Sequence, residues 1–210
     1  MSPLRARSAS DYLPKTLSLK SLREAADDCH GCGLYKDATQ TVFGEGKARA
    51  TVMLVGETPG DREDIEGHPF VGPAGRLLDT ALKAAGIVRS DIYVTNAVKH
   101  FKYVLRGKRR IHTKPKTMEI RACRPWLEAE IKVVKPKVVV AMGATAAQTL
   151  LGPSFRLTHH RGEVLSTEIA PQIIATVHPS SILRAPDDDA RHRELADFIA
   201  DLKRVPKLLR

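Results

Sequence analysis

The sequence predicts a three-layer α/β/α sandwich built on a central, mainly parallel, four-stranded sheet. Three observations carry that expectation. Four short strand-type runs recur along the chain, at 51–56, 91–96, 137–142 and 173–177. Helical patterns of apolar residues lie between and after them. The length of 210 residues and the 42% hydrophobic content suit one domain with a substantial core. Strand–helix alternation implies right-handed crossovers, and so parallel strands covered on both faces.

Residues 1–17 are polar and basic with two prolines, and read as a flexible arm preceding a single domain over 18–210. Ser18 is placed to cap a helix running to about Asp28, with Leu19, Leu22 and Ala26 on one face. Cys29 and Cys32 follow in a tight turn. After the first strand, 56–79 is glycine-rich loop chemistry until Pro73 opens a helix bearing Leu77, Leu78, Ala81, Leu82 and Ala85. The second strand leads into a long basic loop. Thr117 opens a helix with Ile120, Cys123, Leu127 and Ile131, in which Pro125 invites an offset or kink. The third strand passes through Gly143 into a helix over 144–151. The fourth is followed by a last helix from about Asp188, with Leu195, Phe198, Ile199, Leu202 and Val205 at helical spacing. In such sheets ligands bind beyond the carboxyl ends of the strands. The segments 57–61, 96–112 and 178–184 leave those ends with reactive side chains.

Net charge is +10, which favours a polyanionic partner. From Lys99 to Lys116 there are eight Lys or Arg residues and no acid, so the charge is concentrated. This stretch reads as a solvated loop or as a nucleic-acid surface, and Phe101 and Tyr103 within it fit the latter. No apolar run approaches the roughly 20 residues needed to cross a bilayer. The N-terminal stretch lacks the apolar centre of a secretory signal, so a cytoplasmic protein with no membrane partner is expected; no oligomerisation stripe stands out, so a monomer is the default. Three cysteines, an odd number, argue against a disulfide framework. Taken alone, the Cys29–Cys32 pair is open between zinc, redox and cluster chemistry.

Three constellations stand out. Gly56-Glu57-Thr58-Pro-Gly-Asp61, continuing to Asp79, sets a carboxylate directly after a buried strand, where it is costly unless bonded or needed. The same loop also reads as one that satisfies its own backbone, with Phe70 as ordinary core. Val177-His178-Pro-Ser-Ser-Ile-Leu-Arg184 offers an imidazole to an anionic leaving group, or a structural turn. In Lys108-Arg109-Arg110-Ile-His112, repulsion from three cations disfavours the imidazolium and leaves a neutral, nucleophilic ring. The other reading is a phosphate-contacting loop in which His112 is incidental.

Together these segments resemble one family. GETPGDRED, GHPFVGPAGRLLD, YVTNAVKHF and TVHPSSILR are similar to signature segments of the family 4-type uracil-DNA glycosylases, over about residues 21–205. KRRIH resembles a narrower group, the UdgX branch, whose members bond covalently to uracil-containing DNA. The resemblance implies a uracil-DNA glycosylase-like fold and a [4Fe–4S] cluster. Cys29, Cys32 and Cys123 match three of the family's four cysteines, and His100 stands after Asn96-Ala-Val-Lys99 where the fourth would be. A histidine can ligate cluster iron, so His100 is the expected fourth ligand; an open iron site or a three-iron form is the alternative.

The resemblance also implies roles. A flipped uracil, from single- or double-stranded DNA, would stack on Phe70 against Gly56. Asn96 would read its edge and His178 would bond a uracil carbonyl. His112 would attack the sugar C1′, with Glu57 orienting the ring and accepting its proton or facing its charge. Lys108, Arg109, Arg110, Ser180 and Arg184 would contact DNA. Thr58 departs from the pattern, since the UdgX branch commonly has Gln there and ordinary members a small residue; it would offer a backbone N–H or a hydroxyl near the base. Two other functions remain open: a conventional multiple-turnover glycosylase, and a non-catalytic iron–sulfur DNA-binding module.

Overall fold

The computed structural model describes residues 8–209. Its elements are α1 (Leu19–Asp27), β1 (Glu45–Gly46), β2 (Val52–Gly56), α2 (Asp61–Glu66), α3 (Pro73–Ala84), β3 (Tyr93–Asn96), β4 (Tyr103–Arg106), β5 (Arg109–His112) and α4 (Thr117–Val134). The second half holds β6 (Val138–Met142), α5 (Ala144–Leu151), α6 (Leu157–His160), β7 (Val164–Leu165), β8 (Gln172–Thr176), α7 (Pro179–Ile182), α8 (Asp188–Leu202) and α9 (Val205–Leu208).

The four expected strands form a parallel core in the order β3–β2–β6–β8. Two further strands make the sheet six-stranded: β1 flanks β3 and β7 flanks β8, both antiparallel. Each is two residues long, too short to show an alternation in the sequence. Along β2, Val52 and Leu54 point to one face and Met53 and Val55 to the other, as the two-residue strand period requires. The first face packs on Leu78 and Leu82 of α3 and on Phe198 and Leu202 of α8. The second packs on Leu127 and Ile131 of α4 and on Ala146, Ala147 and Leu150 of α5. This is the three-layer sandwich. The chain order reverses between β2 and β6, so the loops leaving their carboxyl ends diverge and open a crevice.

Three expectations change. Residues 8–17 are not a loose arm: Ser8 caps a short 3-10 turn, and Ala9 is fully buried with Tyr12, Leu13 and Leu17 beside Cys29 and Trp126. Gly31 allows this approach, because a Cβ there would press on the backbone of Ser8 and Ala9. Residues 1–7 of that expected arm lie outside the described residues. Within the glycine-rich loop, residues 61–66 form α2.

The long basic loop contains a hairpin. β4 and β5 pair antiparallel, Tyr103 opposite His112 and Arg106 opposite Arg109. Gly107, with φ +59, takes the first place of a two-residue turn that needs a left-handed residue there. Arg110 fastens the hairpin to the body. Its Nε donates to Asp61 Oδ1 (2.6 Å) and its Nη1 to the buried Asp64 Oδ2 (2.6 Å) and Thr39 Oγ1 (3.1 Å), while its guanidinium lies over the Phe101 and Tyr103 rings.

Behind β3 lies a buried ion pair. Lys99 Nζ donates to Glu130 Oε2 (2.5 Å), Thr95 Oγ1 (2.6 Å) and the Asn96 carbonyl (2.8 Å). Glu130 also accepts from Tyr93 Oη, Thr95 Oγ1 and the Gly44 N–H. Every ammonium proton and both carboxylate oxygens are used, the condition under which burying such a pair is tolerable. No helix among the described residues is long and apolar enough to cross a membrane.

Two outcomes test these anchors. Lys99→Met strands the Glu130 carboxylate and should lower unfolding free energy by about 3–5 kcal/mol in chemical denaturation. Arg110→Met should speed amide exchange across β4–β5 by roughly tenfold or more, the equivalent of one charged hydrogen bond, and leave exchange in β2 and β6 unchanged.

Candidate functional site

A cleft of about 790 Å³ opens at the carboxyl ends of the parallel strands. Glu57, Thr58, Phe70, Asn96, His112, His178, Ser180 and Arg184 all line it, although they come from four separate segments of the chain.

Its floor is set by glycines. A Cβ on Gly56 would collide with both Asn96 Oδ1 and the Phe70 ring, so only glycine lets these two meet beneath the crevice. Phe70 itself has φ +60, an uncommon conformation for a bulky residue. Gly75 makes room for it, since a Cβ there would strike the Phe70 carbonyl where α3 passes. Asn96 is 2% exposed, and its Oδ1 has no hydrogen-bond partner among the described residues. A buried amide oxygen left unpaired is costly and calls for a ligand.

His178 caps α7. Its Nδ1 lies 3.2 Å from the Ser180 N–H and 2.8 Å from the Ser180 hydroxyl. An Nδ1 that accepts from a backbone N–H is unprotonated, so in the neutral ring the proton sits on Nε2. Burial pushes the His178 pKa down to about 4, with His112 and Arg184 adding to the effect. The ring is therefore a neutral donor near pH 7. The Phe70 and His178 rings lie 5.9 Å apart, tilted by 32°.

Across the cleft, β5 delivers His112. Its Nε2 is 2.7 Å from Thr58 Oγ1 and 3.7 Å from Glu57 Oε1. Burial lowers its pKa, the Glu57 carboxylate opposes that, and Arg184 lowers it further. The other Glu57 oxygen accepts from Thr145 Oγ1 at the start of α5. Thr145 is a functional residue the sequence reading passed over; its signal was its place one residue into the helix after Gly143. Glu63 is another: its carboxylate accepts from the Gly60 and Gly72 N–H groups and ties the two ends of the glycine-rich loop together.

The expected DNA contacts fare differently. Lys108 and Arg109 are exposed at the hairpin tip, and Arg184 lines the cleft. Arg110 is instead committed to Asp61 and Asp64, and Ser180 to His178. A sequence shows the cation but not the acid that faces it.

The four expected cluster ligands lie elsewhere, between α1 and α4. Among the described residues, no three His, Cys, Asp or Glu side chains close round one point as they would round a single ion. The three cysteines do share one packed region with Leu22, Ala26, Phe43 and Trp126. Trp126 Nε1 donates to Cys29 Sγ (3.3 Å), and the Lys99 N–H donates to Cys123 Sγ (3.2 Å). Burial pushes the Cys123 thiol up to about 12; Lys99 opposes this, and Cys32 and Cys29 add to it. His100 is buried, which pushes its pKa down to about 4. Thr41 spends its one hydroxyl proton on the Ala26 carbonyl, so it must accept from His100 Nε2 (3.0 Å). That leaves His100 Nδ1 with a free lone pair, oriented as outer-shell partners orient ligating histidines. Three cysteines in one packed region, two of them accepting from N–H donors, and a neutral imidazole are donor types that fit an iron–sulfur cluster.

Comparison with known proteins agrees with this arrangement. Residues 43–203 match the family model of the uracil DNA glycosylase superfamily. The chain is 35% identical to the type-4 uracil-DNA glycosylase of Thermotoga maritima over 86% of its length and 91% of the relative's. It is 34% identical to that of Pyrobaculum aerophilum, over 81% and 87% of the two chains. It is 32% identical to that of Archaeoglobus fulgidus, over 91% and 93%. With a cleft whose signature loops converge and a match spanning most of its length, the chain belongs to the uracil DNA glycosylase superfamily.

Proposed function

We propose that this protein recognises uracil in DNA, excises it, and captures the exposed sugar carbon on His112 in a single turnover. One observation carries the reading: His112 Nε2 opens on the same cleft as Glu57, Asn96 and His178, 3.7 Å from the Glu57 carboxylate.

The cations of the hairpin tip and Arg184 hold the phosphates of single- or double-stranded DNA. Such binding weakens steeply with salt. The flipped uracil stacks on Phe70, and Asn96 pairs with its edge, satisfying the unpartnered Oδ1. His178, a neutral Nε2–H donor, bonds a uracil carbonyl and stabilises the departing anion. Near pH 7 this donor is already neutral and needs no proton from outside. Bond cleavage leaves positive character at C1′, which His112 attacks through an unprotonated nitrogen. Glu57, held by Thr145, faces the positive charge that builds between ring and sugar. The product is a His112–C1′ bond, so one protein is consumed per lesion.

Cys29, Cys32, Cys123 and His100 would hold a [4Fe–4S] cluster. Its contribution is structural, fastening α1 and the Cys29–Cys32 turn to α4. A monomer working in the cytoplasm is the accompanying expectation.

The relatives named above are type-4 uracil-DNA glycosylases, which supports excision and leaves turnover and capture equally open. A denaturing gel separates the two. Protein mixed with a uracil oligonucleotide should give a species that survives boiling in detergent, with peptide mapping placing DNA on His112. His112→Gln should abolish it. His112→Gly should admit water, releasing free uracil beyond one equivalent. Uracil release beyond one equivalent by the unaltered protein, with no lasting adduct, supports turnover instead.

The pH dependence follows from His112. Its pKa lies below the usual 6.5 because of burial. The neutral form is complete above that value and is lost as pH falls through the lowered one. The single-turnover adduct rate should stay level from pH 8 to about 6.5 and decline below it. A rate that climbs with acidity contradicts neutral attack.

A further inference from the structure

Thr58 lines the cleft beside the proposed nucleophile. It is 8% exposed, and its hydroxyl meets only His112 Nε2, at 2.7 Å, among the described residues. A buried hydroxyl proton without an acceptor is costly. Two arrangements of the pair are available. If Nε2 carried the ring proton, it would donate to Thr58 Oγ1, and the hydroxyl proton would have no protein acceptor among the described residues. Glu57 Oε1, at 3.7 Å from Nε2, is too far to take the ring proton in its place. If Nδ1 carries the ring proton, the hydroxyl donates to Nε2. The Nδ1–H can then be met by water, because the His112 side chain is 44% exposed. The second arrangement gives the Thr58 hydroxyl a protein acceptor and leaves to water only the more exposed ring edge.

We propose that Thr58 is the positioning residue of the trap: its hydroxyl selects the Nδ1–H tautomer of His112 and so keeps Nε2 unprotonated at the edge of the cleft. This rests on the reading of His112 as the nucleophile. It also divides the labour around the ring. Because the mobile proton is on Nδ1, away from Glu57, the carboxylate acts by facing charge and not by taking the proton.

The chemical step then balances. The Thr58 hydroxyl swings off Nε2 as the sugar arrives. The Nε2 lone pair forms the bond to C1′, while the electron pair of the C1′–N1 bond leaves with uracil. The ring becomes an imidazolium that still carries its Nδ1 proton. Loss of that proton to water leaves a neutral alkylated imidazole, and the uracil anion takes up a proton from water.

The charged and titratable groups around His112 are Glu57 after β2, His178 and Arg184 on and beyond α7, Tyr103 opposite it on β4, and Arg110 two residues earlier on its own strand. They act on the overall charge of the ring. Thr58 alone touches one nitrogen and so distinguishes the tautomers. A donor to the Nε2 lone pair favours the neutral ring, so its removal raises the pKa.

The test uses the full chain with Thr58→Val, which keeps the shape and removes the hydroxyl, and Thr58→Ser, which restores it. Nitrogen-15 shifts of His112 in the free protein read the tautomer without DNA. The unaltered protein and Thr58→Ser should show Nδ1–H, and Thr58→Val a mixture. With a uracil oligonucleotide, Thr58→Val should form adduct about five- to tenfold more slowly, the worth of one neutral hydrogen bond. Its acid limb should move up by about half a pH unit to one unit, with the wild-type position recovered in Thr58→Ser. An Nε2–H tautomer in the unaltered protein overturns the assignment, even where Thr58→Val does not fold. So do wild-type rate and pH profile in Thr58→Val. If the tautomer is as stated and no adduct forms, Thr58 keeps its positioning role and the capture reading falls.

Discussion

The arrangement of this protein depends on a charged pair that water does not reach. Lys99 and Glu130 are 1% and 0% exposed, and each is saturated with partners. Desolvating two ions costs several kcal/mol each, and their attraction offsets this only when the remaining protons and lone pairs are bonded too. Here those bonds reach β3, the segment before β1, α4 and the Asn96 carbonyl at once. The pair therefore fixes where β3 ends and how the chain turns after it. On one side of that turn is the Asn96 amide at the cleft floor. On the other is the Lys99 N–H on Cys123 Sγ. A hydrophobic replacement could fill the space, but it would not specify this turn.

The cleft is built for imidazoles that stay uncharged. Both His178 and His112 lose affinity for protons through burial, and both have one ring nitrogen addressed by a hydroxyl. The two nitrogens differ. Ser180 meets Nδ1 of His178, leaving Nε2 as a donor, whereas Thr58 meets Nε2 of His112. In the proposed reaction one imidazole offers a proton to the leaving group and the other a lone pair to the carbon. The same side-chain chemistry would serve opposite ends of one bond because the backbone presents different edges of the rings.

Much of this was legible in the sequence, and the reasons it was legible are local. Ser18 caps α1, Pro73 opens α3 and α8 begins at Asp188, because helix-start chemistry is written within three residues. The parallel core followed from strand–helix alternation. The convergence of Glu57, Asn96, His112 and His178 followed from topology and from the family's motifs. What escaped notice was set by distant partners. The hairpin reads as a loop because its exposed cations mask a two-residue alternation. Arg110 reads as a DNA contact until Asp61 and Asp64 are seen beside it. Residues 8–17 read as an arm because the burial of Ala9 depends on Gly31, twenty-two positions later in the chain.

The outer rims of the sheet carry a last consequence. Each ends in a strand of only two residues, running against the direction of its neighbour. A passing polypeptide seeking to add itself by backbone pairing would find no ladder long enough to template a stable addition. Self-association into fibrils by that route is blocked at both flanks, without any need for a covering helix. The molecule can keep its most reactive surface at one end and leave its sides inert.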